Sequence, residues 1–136
     1  KLQFVSDDAL GDPSGYAARL DYDVDSPSPA YNGFWMKLQS IDATSYNTLT
    51  FYAKGDSEKG FTKRVKVELK DGSDKPSSYI VGNLTDTWQE FTIAFDKFRR
   101  IEDWKALKEF VLVFDDLNSK PKTGAIYIDQ IALSKQ

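Results

Sequence analysis

The 136-residue chain contains neither cysteine nor histidine, which removes disulfides, thiolate and imidazole metal sites, the Ser-His and Cys-His nucleophile pairs and the commonest general base together. A net charge of −3 and a pI near 5.0 argue against nucleic acid as a partner, because phosphate neutralisation needs a basic surface. The longest apolar runs, such as FVLVF at 110–114, fall far short of the roughly 20 residues that span a bilayer, so no membrane partner is expected.

Length predicts one domain over 1–136, able to bury roughly two thirds of its unfolded surface. A start at Lys1 without a signal pattern is expected of a processed protein or an excised domain. Aromatic residues make up 14% of the chain, and turn clusters rich in Gly, Asp, Ser and Pro recur roughly every ten to fifteen residues. That rhythm predicts an all-β sandwich of two antiparallel sheets with about nine strands.

In chain order the first strand covers 2–5, and FVSDDALGDPSG (4–15) follows it as an acidic loop with Asp7, Asp8 and Asp12. After a strand at 16–24, SPSPAYNG (26–33) reads as a loop, and in GFWMKLQ (33–39) alternation turns Phe34, Met36 and Leu38 inward and Trp35, Lys37 and Gln39 outward. A strand at 47–54 precedes RVKVELK within 63–70, where Val65, Val67 and Leu69 oppose Arg64, Lys66, Glu68 and Lys70. DGSDKPSS (71–78) is a loop before strands at 78–82 and 89–95, the latter with Phe91, Ile93 and Phe95 inward. DWKALKEF (103–110) has Trp104, Leu107 and Phe110 at helical spacing and predicts one or two helical turns. Strands at 109–115 and 125–134 complete the chain.

The last strand, AIYIDQIAL, suits burial on both faces except for Asp129. A carboxylate there must be exposed, protonated, paired or bound to a metal, because burying it unpaired costs several kcal/mol. If the first and last strands are neighbours, Asp129 meets the loop of Asp7, Asp8 and Asp12. An all-oxygen cage of that kind suits calcium, while a turn closed by Asx interactions is the competing reading of the loop.

LTFYAKGD (49–56), WQEFTIAF (88–95) and GAIYIDQIAL (124–133), in this order along nearly the whole chain, resemble the galactose-binding-domain-like β-jelly-rolls. The resemblance is to carbohydrate-binding modules similar to families 11 and 4, and to the related CIA30-type domains. It implies a structural Ca2+ ion held by Asp129 with Asp7 or Asp8, although the usual Asp-Asp pair of the final strand is Asp129-Gln130 here. It also implies glycan binding across a concave sheet.

Sugars present C–H faces that pack on aromatic rings and hydroxyls that pair with planar polar groups. Trp35 and Tyr79 are therefore expected as stacking platforms, with Lys37, Gln39, Arg64, Lys66, Glu68 and Asp115 reaching for hydroxyls. Tyr31 and Tyr52 are weaker candidates. The leading expectation is a monomeric, secreted or cell-surface module, non-enzymatic and calcium-stabilised, that binds oligosaccharide or polysaccharide such as β-glucan and places an attached enzyme on its substrate. The alternative is a protein-assembly domain of the same fold, with Trp35, Tyr79 and Val113 as an apolar patch. A glycosidase would need two carboxylates such as Glu68 and Asp115 facing one groove.

Overall fold

The computed structural model describes residues 1–6, 15–73 and 75–136. Among these described residues nine strands form two antiparallel sheets: β1 (Leu2–Val5), β2 (Ala17–Asp23), β3 (Tyr31–Ile41), β4 (Thr48–Gly55), β5 (Val65–Lys70), β6 (Ser77–Val81), β7 (Gln89–Ala94), β8 (Leu107–Asp115) and β9 (Thr123–Ser134). The five-stranded sheet runs β1-β2-β9-β4-β7 and the four-stranded sheet β3-β8-β5-β6. Alternation in the sequence places each inner face. Val65, Val67 and Leu69 of β5 are buried, and Phe51, Phe110, Leu112 and Ile126 close the core between the sheets. Tyr22 stacks on Phe114 with ring centroids 4.4 Å apart, joining β2 to β8.

β8 lies between β3 and β5, and Phe110 through Phe114 are all buried. Phe110, Leu112 and Phe114 pack in the core, and Val111 and Val113 on the outer face are screened by the side chains of the two flanking strands, so both sets are apolar. The expected helical piece at 103–110 is instead a single turn, closed by Ala106 N–H to Asp103 O at 3.2 Å, after which β8 starts at Leu107. Pairing with β3 and β5 overrides the helical spacing. Trp104 keeps a packing role, stacked on Phe95 at 4.1 Å, and Phe95–Lys97 forms a 3-10 turn. Asp71, buried after β5, ties that end of the sheet to the chain leading into β8 by accepting the Glu102 and Asp103 amides at 2.7 and 2.9 Å.

The first and last strands are not neighbours, because β2 lies between β1 and β9. Asp129 pairs with Tyr52 on β4 and, since directly paired residues share a face, stands on the outside of the five-stranded sheet. It is half-buried there, and its Oδ1 accepts the Gln130 amide at 2.8 Å. A bulge follows, with Gln130 at φ 50°, one extra residue against β4. Asp7, Asp8 and Asp12 lie outside the described residues.

Candidate functional site

On the outer face of the four-stranded sheet the register sets up rows of side chains. Trp35 on β3 pairs with Val111 on β8, and Val111 pairs with Glu68 on β5. The next row holds Gly33, Val113 and Lys66, and beyond it Tyr31 stands opposite Asp115. Strands lie about 4.8 Å apart, so β3 and β5 form two walls roughly 10 Å from each other with β8 as the floor. The resulting groove of about 550 Å³ is lined by Tyr31 and Trp35 on one side, Lys66, Glu68 and Lys70 on the other, and Val111 and Val113 below.

The aromatic wall is open to solvent: Trp35 is 52% and Tyr31 68% exposed. Gly33 shapes it. The indole lies back over this glycine so closely that a Cβ there would fall 2.4 Å from Trp35 Cη2. The opposite wall is fixed by ion pairs, Lys66 Nζ to Asp115 Oδ2 at 3.3 Å and Lys70 Nζ to Glu109 Oε2 at 3.4 Å. Between the two lysines Glu68 is half-buried and makes no ion pair or hydrogen bond among the described residues. Its carboxylate is available to a ligand.

Of the expected contacts, Trp35, Lys66, Glu68 and Asp115 meet in this groove, but Asp115 serves the fold first. Its Oδ1 accepts the Leu117 and Asn118 amides at 3.1 and 2.7 Å. Burial pushes its pKa up, but hydrogen bonds from Asn118 and Lys66 outweigh that and hold it below the ordinary carboxylate value. Lys37 shares the face but stands at the groove's end opposite Glu109. Gln39 sits within a bulge of β3 at φ 56°, and Arg64 precedes β5; neither lines the groove.

Tyr79 is not part of this groove. It pairs with Val67, which is fully buried, and so lies on the core-side face at the open edge of β6, 38% exposed, whereas Ile80 pairs with Lys66 and takes the outer face. Trp35, Tyr79 and Val113 therefore do not share one patch. Tyr31, read as loop, begins β3 and is a groove residue. The carboxylate pair proposed for glycoside hydrolysis is also badly placed. Glu68 faces Val111, four residues along β8 from Asp115, about 14 Å between their backbone positions along the strand, and the Asp115 carboxylate is engaged by Lys66 and by the Leu117 and Asn118 amides. A carboxyl held ionised, like that of Asp115, is also a poor general acid.

Among the described residues no three acidic side chains converge as a metal site, and no helix is long and apolar enough to cross a membrane. No protein-family model and no curated protein sequence matches the chain.

Solved structures do match. A family 11 carbohydrate-binding module from Clostridium thermocellum, in complex with a β-1,3-1,4-mixed-linked tetrasaccharide, superposes with a TM-score of 0.74 at 17% identity, over 99% of this chain and 82% of that one. A family 28 module specific for non-crystalline cellulose gives 0.61 at 16% identity, over 99% and 82%. An exo-β-agarase gives 0.70 at 9% identity, all of this chain matching 22% of the enzyme. The fold is thus the β-jelly-roll of carbohydrate-binding modules.

Proposed function

We propose that the chain is a non-enzymatic module that binds one strand of a neutral glycan, of the β-glucan type, in the groove over β8. The observation that carries this is the pairing of an exposed aromatic wall, Trp35 and Tyr31, with the available Glu68 across an apolar floor. A pyranose ring can stack on the indole while its hydroxyls donate to the carboxylate and accept from Lys66 and Lys70. The lysines' ion pairs leave the groove without a strong excess of either charge, which suits a neutral sugar. Affinity should lie between micromolar and millimolar, because desolvating hydroxyls cancels much of the hydrogen bonding.

The module would act outside the cell, beside a catalytic domain. The match to about a fifth of the agarase chain supports such an arrangement. A structural calcium ion at Asp129 also belongs to this proposal. Val5, the last residue of β1, pairs with Ala17, and Ala18 pairs with Ile128, so the start of β2 lies beside Asp129.

Isothermal titration with a mixed-linkage gluco-tetrasaccharide tests the glycan reading. Heat that saturates in the wild type, and falls away in Trp35→Ala and Glu68→Gln, is the expected result. Equal binding by both variants would move the site elsewhere.

A further inference from the structure

Tyr31 and Trp35 also line a second depression. It holds about 920 Å³ and follows the seam where β1 and β2 of the five-stranded sheet approach β3. Asp23 closes one end of the seam, its amide donating to Asn32 Oδ1 at 2.7 Å.

The far wall is polar and braced. Arg19 donates to the two Asp21 carboxylate oxygens at 3.2 Å each and also pairs with Asp56, while Lys59 Nζ reaches Asp21 Oδ1 at 2.6 Å. Burial opposes the charge on Asp21, but Arg19 and Lys59 prevail and lower its pKa. Gln3 pairs with Arg19 across β1 and β2, so it stands on the same face. Planar groups locked by one another present fixed donors and acceptors at little entropic cost, which suits recognition of sugar hydroxyls. The side chains lining the depression include three cations, Lys1, Arg19 and Lys59, and two anions, Asp21 and Asp23, with Asp56 paired to Arg19, so the charges nearly balance and the wall suits a neutral occupant.

Because β3 is the edge strand of its sheet, the two depressions share Tyr31 and Trp35 as a common ridge. We propose that the glycan chain held over β8 continues across this ridge, and that Gln3, Arg19, Asp21 and Lys59 form further subsites for the same chain. The extension rests on the first groove being a glycan site.

Mixed-linkage gluco-oligosaccharides of four and eight units separate the two claims. A longer chain gains about fivefold merely from the registers it offers a four-unit site, so the extension requires the eight-unit chain to bind more than about tenfold tighter than the four-unit chain. In Gln3→Ala/Lys59→Ala the ratio should drop to the register value. Lys59→Ala alone, which leaves the Arg19–Asp21 pair in place, serves if the double variant melts early. A ratio at the register value in the wild type, or a larger ratio that survives in the variants, overturns the extension alone. No heat at either length overturns it together with the reading beneath it.

Discussion

Gly33→Ala tests whether Trp35 is a platform held by its own strand. Gly33 and Trp35 are two residues apart on β3, so both face outward. An added Cβ would fall 2.4 Å from Cη2 and 2.7 Å from Cζ2 and Cζ3 of the indole. Carbon atoms rest about 3.5–4.0 Å apart, so the ring must rise by about 1 Å into the groove or turn to another rotamer. Either movement takes the indole face away from a sugar lying over Val113. If that contact is of the same order as an aromatic pair, about 0.5–1.5 kcal/mol, its loss raises Kd roughly two- to tenfold. The backbone gives no reason for instability, because Gly33 has no left-handed φ and alanine is preferred to glycine in a strand by about 0.5–1 kcal/mol. Titration with the tetrasaccharide beside a thermal melt should therefore show weaker binding, approaching that of Trp35→Ala, with Tm maintained. Wild-type affinity in Gly33→Ala, beside clear weakening in Trp35→Ala, would refute the reasoning.

Asp71 is 5% exposed and accepts Ser73 Oγ at 2.6 Å as well as the amides of Ser73, Glu102 and Asp103. These bonds, the Ser73 hydroxyl foremost, hold its pKa far below the carboxylate range. Its contribution is complete above the unfolded value near 3.9 and is lost as pH falls toward the folded value. Asp71→Asn should cost about 2–3 kcal/mol at pH 7, lowering Tm by about 10 °C, and should flatten the loss of stability below about pH 4; melts from pH 2 to 7 that keep the wild-type acid slope would contradict this. Tyr79→Ala, on the core side of β6, should leave the tetrasaccharide Kd within about twofold while lowering Tm by a few degrees, and a large loss of affinity in titration would reverse its placement. Chelator should lower Tm and excess calcium restore it, as mass action requires of an ion bound only by the folded state. An unchanged melt in a sample shown by metal analysis to be calcium-free would remove the ion.

All nine strands are legible, several of them from alternation: Val65, Val67 and Leu69 read as core from spacing alone and are buried. Which strands neighbour one another is a long-range property that spacing does not carry, so the insertion of β2 between β1 and β9 is not visible in the sequence. Tyr79 was misplaced for a related reason. SSYIV in β6 offers Tyr79, Ile80 and Val81 in succession, and only the register against β5 decides which of them faces out. Tyr31 was hidden by turn chemistry, since Pro29 before it and Gly33 after it punctuate the segment. The glycine belongs instead to the indole, which needs its missing side chain. Asp129 raised the right question, and alternation already answers part of it: Ile126 and Ile128 face the core, so the residue after them faces out.

β8 is at once the keel of the sandwich and the bed on which a ligand would rest. Its inward residues, Phe110, Leu112 and Phe114, cannot change without unsettling the core, and Val111 and Val113 are held to the same line by the shared backbone. The side chains of β3 and β5 that rise beside it carry far less of the packing. Preference for one sugar over another can therefore drift through the flanking strands while the track between them stays unaltered.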